Sequence, residues 1–163
     1  MTSMELMADV LNRNLEMLKG TIADFSDADI YVRPCPAANH TAWQLGHLIA
    51  AETMMVGAFD PKAVAKLPEG FDKRFSKENS AKDDPKLFGT KAELLDQFSK
   101  TRAATIAMVK TLKPADLDKP APERMRNYCP TMGHLLQLLP QHVAMHMGQM
   151  QVIRRKLGKP ILF

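Results

Sequence analysis

The sequence predicts an all-α protein, specifically a four-helix bundle. Four segments open with a helix-start signal and continue with apolar residues at helical spacing. Strand signals are nearly absent, because the short apolar runs lack β-branched alternation and no Asn-Gly or Asp-Gly turn occurs. The 163 residues suit one domain, 1–163, long enough to enclose a core without disulfides or a structural metal.

Each helix start is a Ser/Thr-x-x-Glu/Gln box or close to one. The first side chain caps an orphan backbone N–H and the fourth reaches back. The first box, Thr2 to Glu5, leads into Met7, Val10, Leu11, Leu15 and Leu18, with Gly20 as the expected terminator. The second, Thr41 to Gln44, leads into Leu48, Ala51, Met54 and Met55. The third, Thr90 to Glu93, leads into Leu94, Leu95, Phe98, Ala104, Met108 and Leu112, and Pro114 stops it. The fourth, Thr131 to His134, is imperfect. It leads into Leu135, Leu138, Leu139, Val143, Met150 and Ile153, and Gly158 and Pro160 end it. Pro140 falls inside this last segment, where it removes the bond to the Leu136 carbonyl and predicts a bend.

The connections are long for a bundle. Residues 21–40 hold a short-turn signal at Ser26 to Asp29, and residues 60–89 hold three prolines among many charges. Such lengths permit a crossover between the second and third helices.

Charge and composition narrow the function classes. The net charge is +4, and its densest cluster is Arg154, Arg155, Lys156 and Lys159 at the end of the fourth helix. The helix dipole favours cations there, so no nucleic-acid partner is implied. No apolar run spans a bilayer, so no membrane partner is implied either. The N-terminal stretch lacks the basic-then-apolar order of a secretory signal, and the two cysteines, Cys35 and Cys129, form no CxxC pair. A cytoplasmic setting is the expectation.

The chemistry sits in the histidines. His142 and His146 are four apart, so they share one helix face about 6 Å apart along the axis and can point at one metal ion. They lie on the stripe Leu135, Leu139, His142, His146, Gln149, Ile153, which a bundle must bury. Two imidazoles in a core are costly without partners, and a shared metal satisfies both. His47, on the interior stripe of the second helix, is the natural third ligand. Three histidines leave an open coordination position, as in catalytic zinc sites. Gln149 is a candidate to orient a ligand or meet a substrate. Glu52 reads as solvated, and His40 and His134, at helix starts, read as surface residues. Neither HExxH nor ExxH occurs, which disfavours zincin-type proteases and di-iron carboxylate bundles.

These residues resemble the DinB/YfiT-like superfamily. Trp43-Gln-Leu-Gly-His47-Leu, preceded by Asn39, resembles its second-helix motif, and His142-x-x-x-His146-Met-Gly148-Gln149 its fourth-helix motif. Pro68-Glu-Gly-Phe71 through Phe75 and Thr131-Met-Gly-x-Leu-Leu also fit family segments, so the resemblance covers nearly the whole chain. It implies an up-down-down-up bundle with a long crossover between helices two and three. It also implies a site for nickel, zinc, iron or manganese on His47, His142 and His146, and often a homodimer. The sequence departs from the pattern at His134, where an acidic residue is common, and at Pro140.

Two readings of function stand beside each other, with a metal-free structural domain as a third. One is a metal-dependent enzyme that activates a thiol or water, resembling relatives that transfer a low-molecular-weight thiol cosubstrate to a small-molecule substrate. The other is a non-catalytic metal-binding or stress-response module of the same fold. Imidazole ligands do not choose among the divalent metals.

Overall fold

A computed structural model describes residues 1–162. Four long helices dominate it: α1 (Ser3–Thr21), α2 (Thr41–Phe59), α5 (Lys91–Val109) and α7 (Met132–Lys156). Short helices α3 (Phe71–Arg74), α4 (Pro85–Phe88) and α6 (Pro114–Leu117) lie in the connections.

The core residues fix the direction of each long helix. One cluster joins Leu15 and Leu18 of α1, Trp43 and Leu45 of α2, Leu94 and Phe98 of α5, and Met150 and Ile153 of α7. The other joins Met4 and Leu11, Met55 and Val56, Met108 and Val109, and Leu135 to Leu139. The end of α1 and the end of α7 therefore meet the beginnings of α2 and α5. That is the up-down-down-up arrangement. α1 and α2 each pack on both α5 and α7, so the two consecutive helices face each other across the bundle.

Local signals explain most boundaries. Thr2 and Glu5 form the expected capping box, as do Thr90 and Glu93. A cap of this kind stabilises a helix by about 1 kcal/mol. Ser26 and Asp29 exchange the same pair of bonds at a single turn of 3-10 helix, Asp29–Tyr31. At the other end of the chain Gly158 adopts φ 67°. Its N–H reaches the Arg155 carbonyl and that of Lys159 reaches Arg154, the pairing that closes a helix on a left-handed residue.

Four local expectations need correction. α1 runs through Gly20 to Thr21 and is closed by Ile22, whose N–H bonds to the carbonyls of Lys19 and Gly20. α2 is capped by His40, not Thr41, because the imidazole Nδ1 accepts from the Trp43 N–H at 3.1 Å. Thr131 makes no cap bond to the backbone; its hydroxyl meets His134 Nδ1 at 2.9 Å instead. Val10 and Met54 fall on exposed faces. Pro140, expected not to break the helix, leaves α7 continuous from Met132 to Lys156.

The crossover between α2 and α5 is fastened to the bundle by buried rings. Phe71, Phe75 and Phe88 are almost fully buried. Each is worth about 1.5–3 kcal/mol relative to exposure. Phe75 packs so closely on Gly46 that a Cβ there would lie 2.0 Å from the ring. Only a residue without a side chain lets the crossover approach α2 at this level, one position before His47. Arg33 ties down the same segment, donating to the carbonyls of Ser80 and Lys82 and pairing with Asp83.

Three of the four basic residues at the end of α7 are tied into the fold, while Arg155 is exposed. Arg154 is buried, donates to the Thr21 carbonyl and pairs with Asp24. Lys156 and Lys159 reach the carbonyls of Arg33 and Asp24. Among the described residues no helix is long and apolar enough to cross a membrane.

Candidate metal centre

α2 and α7 run antiparallel, and His47 faces His142 and His146 across their contact. The ring centroids stand 5.1 Å apart for His47–His142, 5.3 Å for His47–His146 and 4.9 Å for His142–His146. One nitrogen from each ring lies within 4.8 Å of the others. In a tetrahedral centre with bonds near 2.1 Å, donor atoms stand about 3.4 Å apart. Small side-chain rotations therefore suffice to place the three nitrogens around one ion.

The rings are held from outside. Trp43 lies flat on His47, with centroids 4.8 Å apart and planes 7° from parallel. The indole N–H donates to the Ser76 carbonyl, which joins this stack to the crossover. His146 is held by Gln44, whose Oε1 lies 2.9 Å from His146 Nδ1. The Gln44 amide nitrogen donates to the Asn39 carbonyl at 2.7 Å, which fixes the amide with its oxygen toward His146. Since Gln44 Oε1 can only accept, His146 Nδ1 carries the proton and Nε2 keeps its lone pair. That is the tautomer a ligand needs.

Burial supplies the matching charge state. Desolvation first, then the positive charge of His142 and of Lys77, lowers His47 to about 4. Desolvation first, then repulsion from His142 and His47, lowers His146 to about 3. Burial also lowers His142. All three imidazoles are neutral at physiological pH, with lone pairs available. The donor set fits one divalent ion.

Other candidate residues fall elsewhere. Gln149 is exposed on α7, and the bond to a site imidazole comes from Gln44. Glu52, expected in solvent, is 2% exposed and paired with Arg102. A lone carboxylate five residues past His47 carries no local sign of that partner. His40, expected at the surface, is fully buried. Its Nδ1 takes the Trp43 N–H, so its Nε2 must donate to the Lys82 carbonyl at 2.9 Å. Its neighbours are the rings of Tyr31 and Phe88. His134 is exposed, as expected.

Two predictions follow from this geometry. Gln44→Leu leaves His146 Nδ1 and the Asn39 carbonyl unpaired. Competition with a chromophoric chelator will show divalent-metal affinity lowered by about 10- to 100-fold. The second concerns pH. The folded pKa values of His40, His47, His142 and His146 lie below the ordinary 6.5, so the unfolded chain protonates first. Stability of the metal-free protein is therefore full above pH 6.5. It falls as the pH drops from there toward 4 and 3, the folded values of His47 and His146. Urea midpoints measured between pH 8 and pH 4 will show the decline, and His146→Gln will make it shallower.

Comparison with known proteins agrees with the fold and the motifs. No curated protein matches the sequence. The structure is similar to that of a conserved protein from Enterococcus faecalis, with a TM-score of 0.73 at 20% identity, covering 98% of this chain and 99% of that one. At that identity the likeness concerns the fold alone. The family model of the DinB superfamily matches residues 11–150, a stretch that contains all three histidines and Gln44. The chain belongs to the DinB superfamily.

Proposed function

We propose that the protein binds one divalent metal ion through His47, His142 and His146 and uses it to activate a small thiol or water. The observation that carries this reading is the convergence of three neutral imidazole nitrogens within 4.8 Å, none of them on a carboxylate-bearing motif. Three neutral ligands leave the ion its full charge and an open coordination position. A divalent ion there supplies Lewis acidity, which lowers the pKa of a thiol or water and makes a nucleophile available at neutral pH.

The chain's own residues supply position and tautomer. Gln44 keeps the His146 Nδ1 proton in place and leaves Nε2 for the ion. Trp43 holds the plane of the His47 ring. Gln149, exposed one turn beyond His146, is the candidate for contact with a substrate arriving from solvent. The substrate is taken to be a small electrophilic molecule, with a low-molecular-weight thiol as cosubstrate. A homodimer is the assembly that the family resemblance supports, and the cytoplasm is the setting expected from the N-terminal stretch and the cysteines. The metal is one of nickel, zinc, iron or manganese, since imidazole serves each of them.

The second reading is a non-catalytic metal-binding or stress-response module, which keeps the three-histidine site without turnover. Turnover separates the two readings. Protein loaded with each metal in turn is incubated with a small thiol and an electrophilic carbon compound, and free thiol is followed. Metal-dependent thiol consumption, at least tenfold lower in His142→Ala, is expected. Metal-dependent loss of the electrophile without thiol consumption would assign water as the nucleophile. No reaction above background with any metal would leave the non-catalytic module.

A further inference from the structure

A buried polar layer divides the bundle core and joins all four long helices. Glu52 of α2 receives two bonds from Arg102 of α5, at 2.9 and 2.7 Å, and a third from Thr105 at 2.6 Å. Arg102 also donates to the Leu11 carbonyl and to Asn14 Oδ1 of α1. The other half of the Asn14 amide donates to the Pro140 carbonyl of α7 at 3.2 Å. Arg102 is fully buried, Glu52 is 2% exposed and Asn14 8%. On each helix the layer stands between the two apolar clusters, as at Leu11, Asn14 and Leu15 or at Leu139, Pro140 and Val143.

Stability does not account for such a layer. Replacing a buried ion pair by packed apolar residues is often neutral or stabilising. What the layer supplies is register. If α7 slides along α1, the Asn14 amide and its chain of partners lose their bonds while still buried, which is costly. The chain of bonds starts on α2, five residues past His47, and ends on α7, two residues before His142. It runs through the two helices that carry no ligand. α2 and α7 are the helices whose relative height sets the distance between His47 and the His142–His146 pair.

We infer that Asn14, held by the Arg102–Glu52 pair, is a positioning residue for the three-histidine centre: its bond to the Pro140 carbonyl sets the height of the α7 ligand pair opposite His47. The inference rests on the metal-binding reading above. Asn14→Asp is the sharpest test, because it keeps the shape and the acceptor for Arg102 but replaces the donor to Pro140 by a carboxylate oxygen, whose negative charge repels that carbonyl. Val109→Ala, a buried position on α5 outside the layer, serves as a control for lost stability.

Cobalt(II) is titrated into each full-length protein, reading affinity and the visible d–d spectrum, with urea midpoints measured alongside. Asn14→Asp is expected to weaken cobalt binding by about tenfold and to alter the d–d bands, as mispositioned ligands do. Val109→Ala is expected to bind as the wild type does at a comparable or larger loss of stability. Equal affinity and spectrum for Asn14→Asp and wild type would overturn the positioning role, as would equal losses in both variants. A wild type that takes up neither cobalt nor any of nickel, zinc, iron(II) or manganese would instead overturn the metal-binding reading itself, and the positioning role with it.

Discussion

Three imidazoles packed against one another, His146 buried and His47 and His142 half-buried, are the constraint around which this structure is arranged. Partly withdrawn from water, an imidazole holds a proton at a cost, and three in contact repel any proton that one of them takes up. The result is a set of neutral nitrogen donors facing one another between α2 and α7. A core tolerates polar groups when each has a partner. Here one ring has Gln44, one has the face of Trp43, and the nitrogens that face one another form a donor set that a single shared cation would fill.

The rest of the fold keeps that set in place from two directions. On the α2 side, His40 caps the helix through the Trp43 N–H and takes hold of the crossover through the Lys82 carbonyl. Gly46 lets Phe75 of the same crossover press against the helix. Local helix chemistry and a long-range connection thus meet within two turns of His47. On the α7 side, the polar layer pins the helix at Pro140. The proline removes one helical bond, yet the helix continues, because apolar packing from Leu135 to Ile153 runs on both sides of it.

Much of this was legible in the sequence. The capping boxes of α1 and α5, the apolar stripes, the helix-ending Gly158 and the four-residue spacing of His142 and His146 are short-range patterns, and short-range physics produced them. His47 was legible because it lies on an apolar stripe where a bundle must bury it. What escaped was long-range. Glu52 reads as a solvated carboxylate until Arg102, fifty residues on, is brought against it by the parallel packing of α2 and α5. His40 reads as a surface residue until the crossover folds over it. Gln44 fits a capping box on spacing alone, but His40 caps the helix first and frees the amide for His146. Its position three residues before His47, on the same face, was the available signal. Gln149 fits the α7 stripe by periodicity, yet it falls at the stripe's edge and stays exposed.

The central claim is that the three histidines form a metal centre, and metal content tests it most directly. Untagged protein is purified, exposed to nickel, zinc, manganese or iron(II), freed of loose metal and measured by mass spectrometry, beside His142→Ala. Three converging imidazoles predict about one divalent ion per chain in the wild type and its loss in the variant. A wild type that retains none of the four metals would contradict the account, leaving a bundle whose buried histidines are held by Gln44, Trp43 and one another alone.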